Sequence, residues 1–96
     1  MRDKKITLVR ARLIIEGRVQ GVFFRASTVR AAREAGITGW VCNKAGGTVE
    51  ALLEGDKKSV ENVIKWCRGG PPMARVDNIK VTWEDYKGEF TEFSER

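Results

Sequence analysis

Histidine does not occur anywhere in these 96 residues. Its absence excludes a Ser-His-Asp triad, a Cys-His pair and an imidazole general base. Any catalysis by this chain must therefore use arginine, lysine, asparagine, carboxylates or backbone dipoles. The two cysteines, Cys42 and Cys67, have neither a CxxC spacing nor the spacing of metal ligands. We expect two free thiols rather than a disulfide, and no structural zinc site.

Long apolar runs are also absent, and no segment approaches the roughly 20 residues of a membrane span. The basic N-terminal stretch does not read as a signal peptide, because Arg10 and Arg12 interrupt its apolar part. The sequence therefore predicts a cytoplasmic protein without a membrane partner. Its length fits a single domain, residues 1–96, with one modest core, and we expect a monomer.

Positive charge is concentrated in one part of the chain, which has a formal net charge of +5. Residues 1–33 carry nine Lys and Arg against two acids, whereas residues 84–96 carry five acids against two bases. The basic part indicates an anionic partner, either a phosphate ester or a nucleic acid. Taken alone, however, this pattern favours an ordinary solvated surface of mixed charge.

Apolar periodicity and turn residues predict a βαββαβ order of elements. Residues 7–16 alternate in part between apolar and polar side chains, which is typical of a strand with one solvated face. Residues 25–36 predict a helix, and two short β-rich runs joined by a glycine-containing turn predict a hairpin. A second amphipathic helix begins after Asp56, and residues 74–85 and 89–95 predict two further strands.

This order suits the ferredoxin-like α+β plan, a two-layer sandwich with an antiparallel sheet and both helices on one face. The other face of the sheet is expected to be solvated. The plan serves phosphatases, RNA binders and ligand sensors, so it identifies no function by itself. The residues predicted to face the sheet are Ala26, Val29, Ala32 and Ala35 in the first helix and Val60, Val63, Ile64 and Cys67 in the second.

The run GRVQGVFFR, residues 17–25, joins the first strand to the first helix. Backbone N–H groups and the helix dipole favour an anion at a helix N-terminus, and Gly17 and Gly21 allow several N–H groups to converge. Arg25 is unfavourable in a first helical turn but suits bidentate bonding to a phosphate. The run matches neither the P-loop nor the dinucleotide loop. An ordinary loop with an exposed arginine remains the alternative.

Asn43 lies near the end of the first hairpin strand, from where its amide can reach the same rim of the sheet. An asparagine amide can orient a water molecule by accepting one hydrogen bond and donating another. The alternative role for Asn43 is to cap the turn at residues 44–47. In the first helix, we expect the Thr28 hydroxyl to hydrogen-bond back to the helix backbone and to help fix Arg25.

Three segments of the chain together resemble the sequence pattern of a known family. They are GRVQGVFFR, GITGWVCNKAGGTVEALLEG and GGPPMARVD, in this order. Over nearly its whole length the chain resembles the acylphosphatase family. The resemblance implies a βαββαβ sandwich that hydrolyses the carboxyl–phosphate bond of acyl phosphates to carboxylate and inorganic phosphate, without a metal or an organic cofactor.

The resemblance also implies roles for particular residues. The two central residues of the family fall on Arg25 and Asn43, and its hairpin Gly and Thr fall on Gly47 and Thr48. The chain departs from the common pattern at Gly46, where many members have Asp, and at Phe23, where a smaller residue is frequent. The phosphate-binding loop of the family falls on Gly17, Arg18, Val19, Gln20, Gly21, Val22, Phe23 and Phe24.

The main alternative is a non-catalytic ferredoxin-like domain that binds RNA or a small anionic ligand. RNA-recognition modules share the element order but display paired aromatics within a motif that this chain lacks. We therefore expect a small-molecule acyl phosphate, and not a nucleic acid, as the partner.

Overall fold

The alternating pattern of the first strand places its apolar side chains under the helices. In a computed structural model that describes residues 6–96, Ala11, Leu13 and Ile15 of this strand are completely buried in the core. The elements are, in chain order, β1 (Leu8–Arg18), α1 (Phe24–Glu34), β2 (Thr38–Asn43), β3 (Val49–Asp56), α2 (Lys57–Gly69), β4 (Arg75–Glu84) and β5 (Phe93–Glu95).

The five strands form one sheet in the order β4-β1-β3-β2-β5. β1 pairs antiparallel with β3 and β4, and β2 pairs antiparallel with β3. The predicted ferredoxin-like α+β sandwich is confirmed. β5 is the exception to the expected antiparallel pairing, because it runs parallel to β2. The chain leaves β4 at one edge of the sheet and enters β5 at the opposite edge, so it must cross the sheet between them.

The crossing segment, residues 85–92, covers part of the face opposite the helices. There the backbone N–H groups of Lys87, Gly88 and Glu89 donate hydrogen bonds of 2.8, 3.3 and 3.3 Å to the carboxylate of Glu54. Glu54 is completely buried and Arg10 is nearly so. The expectation of a solvated face is therefore wrong at this end of the sheet, because the segment excludes water and supplies donors to the buried charge.

The second helix follows its predicted pattern closely. Val60, Val63, Ile64 and Cys67 are all buried against the sheet, as expected from their spacing. Asp56 occupies the N-cap position, although its side chain makes no capping hydrogen bond. The burial of this apolar face, rather than the cap, is what holds the helix on the sheet.

The first helix follows its predicted apolar stripe at three of four positions, since Ala32 is buried and Val29 and Ala35 are partly buried against the core. Phe24, Thr28 and Ala32 are its buried residues, whereas Ala26 is exposed, so the prediction for Ala26 is wrong. The Phe24 ring packs beside Trp66 of α2, with 5.9 Å between the ring centroids. The buried Thr28 hydroxyl donates to the Phe24 carbonyl oxygen at 2.8 Å, which confirms the expected bond back to the helix backbone.

Both cysteines are free, as expected. Burial raises the pKa of the Cys67 thiol to about 12, so this thiol stays protonated at neutral pH and packs as a small apolar side chain. Over residues 6–96, none of the helices has the length and apolar character needed to cross a membrane.

Candidate active site

The loop between β1 and α1 begins just after a bulge in the pairing of β1 with β4, with the extra residue on β4. The pairing of β1 with β4 shifts register between Glu16 and Gly17. This shift leaves Asp77 of β4 without a partner on β1. Gly17 has a φ of 133°, and a Cβ at this position would lie 2.1 Å from the Arg75 carbonyl oxygen. Only glycine fits here, so the bulge that aims the loop depends on Gly17.

Apolar anchors hold the loop against the core on one side. Val19, Val22 and Phe24 are almost completely buried, whereas Gly21 and Phe23 are exposed. Gly21 and Phe23 both have a positive φ, of 73° and 65°. The loop therefore turns tightly between its anchors just before α1 begins.

The N-terminus of α1 is arranged in a way that favours an anion. The first N–H groups of an α-helix have no partner within the helix. In α1 the N-cap residue, Phe23, makes no side-chain capping bond, and the first turn contains no acidic residue. The partial positive charge of the helix dipole is therefore left for a ligand at this end.

Arg25 extends from the first turn of α1 toward the C-terminal strand. Its Nη1 donates to the Arg96 carbonyl oxygen at 3.0 Å, and its Nε lies 3.5 Å from a carboxylate oxygen of Glu95. The Arg25 side chain is 35% exposed. β5 is held beside β2 by its pairing and by a contact of the Arg96 guanidinium with the Trp40 ring at 4.9 Å. Arg25 is thus oriented by two contacts but is not enclosed.

The β2–β3 hairpin brings Asn43 to the same place. Asn43 is the last residue of β2 and is exposed. The turn that follows it is closed by a 2.8 Å hydrogen bond from the Lys44 N–H to the Thr48 carbonyl oxygen. The side chain of Gln20 donates to the carbonyl oxygens of Lys44 and Thr48, at 2.8 Å in each case. Gln20 therefore fastens the β1–α1 loop to the hairpin turn.

A cavity of ≈ 240 Å³ opens where these elements meet. Arg25 and Glu95 are the charged residues on its wall, and Asn43 adds an amide. The volume and the donors suit a small anion with an organic substituent. The lining residues are Val19, Gly21, Phe23, Phe24, Arg25, Ala26, Asn43 and Glu95.

Part of the predicted site lines this cavity and part lies behind it. Val22 and Thr28 are buried in the core, and Gln20 links the loop to the hairpin. The sequence did not predict Ala26 or Glu95 as residues of the site. The acidic C-terminal segment was the signal that could have indicated a negative partner for the basic N-terminal segment. Predicted residues outside the lining are Gly17, Arg18, Gln20, Val22, Thr28, Gly47 and Thr48.

Comparisons with known proteins agree on one family. The family model described as Acylphosphatase matches residues 11–95. The chain is 54% identical to an acylphosphatase of Pyrobaculum calidifontis over 93 residues, which cover 96% of this chain and 84% of the relative.

Solved structures give the same result. An acylphosphatase from Coxiella burnetii superposes with a TM-score of 0.88 at 34% identity, covering 93% of each chain. One from Bacillus subtilis superposes with a TM-score of 0.89 at 33% identity, covering 92% of this chain and 98% of that one. This chain therefore belongs to the acylphosphatase family, enzymes that hydrolyse acyl phosphates.

Proposed function

We propose that this chain cleaves the carboxyl–phosphate bond of acyl phosphates with Arg25 and the loop Gly17–Phe24 holding the phosphoryl group and Asn43 orienting the attacking water. The observation that carries the proposal is the cavity at the start of α1, whose wall includes both Arg25 and Asn43. The helix N-terminus, without an acidic residue in its first turn, supports the preference for an anion.

Arg25 and the loop would stabilise the transferring group. In the transition state, negative charge is spread over the three equatorial oxygens of the phosphoryl group. A guanidinium can donate two parallel hydrogen bonds to two of these oxygens, and backbone N–H groups can stabilise the third. The phosphoryl oxygens would compete with Glu95 for Arg25, over a contact that at 3.5 Å is longer than an ordinary charge-assisted hydrogen bond.

Asn43 would place the nucleophile. Its side-chain oxygen can accept a hydrogen bond from a water molecule while its NH₂ donates to a phosphoryl oxygen. This holds the water oxygen in line with the bond that breaks. As the bond from water to phosphorus forms, the acyl oxygen leaves with its electron pair as a carboxylate, and the water proton passes to a phosphoryl oxygen. A carboxylate leaves readily, so no imidazole base is required.

Supporting residues would keep these groups in place. The hairpin turn that carries Gly47 and Thr48 is joined to the loop through Gln20, which supports a common position for Asn43 and the loop. Thr28, buried behind the first turn of α1, would hold the backbone from which Arg25 extends.

We also propose the assembly state, location and partners of this chain. Residues 1–96 would act as one acylphosphatase-like domain, as a monomer in the cytoplasm, with neither metal nor organic cofactor. The partners would be a small-molecule acyl phosphate and inorganic phosphate, and not a nucleic acid or a membrane.

The test is hydrolysis of benzoyl phosphate by the wild type and by Asn43→Ala, with Asn62→Ala, an exposed asparagine in α2, as the matched control. We expect the wild type and Asn62→Ala to hydrolyse benzoyl phosphate at the same rate, with or without EDTA. Asn43→Ala should lose about 100-fold or more in kcat because its water is no longer held in line, while inorganic phosphate still competes for the site. Full activity of Asn43→Ala would exclude the water-orienting role, and loss of wild-type activity in EDTA would exclude the metal-free mechanism.

A further inference from the structure

Phe23 combines two unfavourable features at the rim of the cavity. Its side chain is 74% exposed, more than any other large apolar side chain described in residues 6–96. Within the same residues, Phe23 is also the one residue other than glycine with a positive φ. Bulky side chains rarely adopt this conformation. Neither feature is explained by packing, because an exposed ring contributes little to the core.

The backbone conformation and the side chain of Phe23 call for separate explanations. The positive φ turns the loop into α1 and exposes N–H groups at the helix start. Glycine or asparagine would adopt the same φ with less strain. The phosphate site therefore accounts for the turn, but it does not account for an aromatic ring at this position.

The position of the ring points to the part of the substrate that is not phosphate. Val19 and Phe24 also line the cavity, but they are buried and present little apolar surface to its opening. Phe23 and Ala26 are the exposed apolar residues of the lining, and Ala26 is too small to restrict the opening. The Phe23 ring is therefore the largest exposed apolar surface of the lining that an acyl group on a phosphoryl group near Arg25 could contact.

We propose that Phe23 is a specificity-determining residue that contacts the acyl group and favours acyl phosphates with an aromatic or other apolar acyl group over those with a small one. The inference rests on the proposed function, because it takes the phosphoryl group to be held at Arg25. The ring contributes binding energy by removing apolar surface of the acyl group from water. The strained and exposed phenylalanine is then explained by substrate binding.

The experiment compares kcat/KM for benzoyl phosphate with kcat/KM for acetyl phosphate in each variant. Differences in the intrinsic reactivity of the two substrates cancel when this ratio is compared between variants. Phe23→Asn removes the apolar surface and tolerates the positive φ, and Phe23→Leu keeps an apolar side chain. Met73→Asn is the matched control, since Met73 is 62% exposed and lies outside the cavity lining. Phe23→Gly serves as a second variant if the asparagine disturbs the loop.

We expect the ratio of benzoyl to acetyl phosphate to fall about fivefold in Phe23→Asn and in Phe23→Gly, because a partly exposed contact of ring size is lost. Phe23→Leu should retain most of the ratio, and Met73→Asn should not change it. An equal loss for both substrates, or an unchanged ratio, would overturn the inference without refuting the proposed function, provided that the wild type hydrolyses both substrates. A wild type that hydrolyses neither substrate would instead refute the proposed function.

Discussion

Two arginines of this fold, Arg10 and Arg25, are held in opposite ways. The Arg10 side chain is 7% exposed and forms ion pairs with Glu54 at 3.5 Å, with Glu84 at 3.0 Å and with Glu89. The Arg25 side chain is 35% exposed and, among residues 6–96, forms one ion pair, a 3.5 Å contact with Glu95. The first guanidinium is engaged by three protein carboxylates, whereas the second is oriented by fewer contacts and is more exposed.

The difference shows how the same side chain serves stability or recognition. Around Arg10, the crossing segment brings backbone N–H groups to Glu54, so the buried charges compensate one another. Around Arg25, the partners are a half-exposed carboxylate and a backbone carbonyl. An anion that enters the cavity can therefore gain a full charge-assisted interaction there, which is not possible at Arg10.

The largest effect is expected from removing Arg25. Arg25→Ala should lower kcat/KM for benzoyl phosphate by about 1000-fold, because the charge that stabilises the phosphoryl oxygens is lost. Competitive inhibition by inorganic phosphate should disappear as well, and the melting temperature should change little. Arg30→Ala, an exposed arginine on the same helix, is the control. Persistent phosphate inhibition in Arg25→Ala would show that Arg25 does not hold the anion.

Removing Arg10 should mainly lower the stability of the fold. Arg10→Met should lower the free energy of unfolding by about 3 kcal/mol, because it leaves the buried Glu54 carboxylate without its cation. Urea denaturation measures this change, with Arg75→Met, an exposed arginine paired with Asp77, as the control. A loss no larger than that of Arg75→Met would contradict the structural role of Arg10.

The smallest effect concerns the carboxylate beside Arg25. Glu95→Gln removes a negative charge that competes with the ligand for the guanidinium, so inorganic phosphate should inhibit about two- to threefold more strongly. The gain should shrink in high salt, because the contact is partly exposed and therefore screened. Weaker inhibition in Glu95→Gln would instead mean that Glu95 helps to orient Arg25 for binding.

Much of the candidate site could be predicted because it depends on short stretches of chain. The loop from Gly17 to Arg25 and the turn after Asn43 are each built from neighbouring residues whose backbone preferences are local. The α2 face was predictable for the same reason. The stripe of α1 was predictable in part, because Val29, Ala32 and Ala35 do pack toward the core. Ala26 was not, since it is exposed and lines the cavity.

The long-range hydrogen bonds of the site could not be predicted from sequence patterns. Gln20 reaches the hairpin turn over 24 and 28 residues of chain, and Arg25 reaches the Arg96 carbonyl over 71. No periodicity or turn preference links positions so far apart. The parallel pairing of β5, which brings Glu95 to the cavity, likewise depends on where the crossing segment ends.

By itself, the sequence determined the order of elements, the glycine-containing loop that leads into α1 and the two residues expected to do the chemistry. The order of elements and the loop follow from conformational preferences within a few residues, whereas the roles expected of Arg25 and Asn43 come from the resemblance to the family. The tertiary structure alone decided that one arginine is buried among three carboxylates and that the other lines an open cavity. The partners of Arg10 are separated from it by 44 to 79 residues, and only sheet register and the crossing segment bring them together. The charge of an arginine is set by its chemistry, but the number of its N–H groups that remain for a ligand is set by the residues that pack around it.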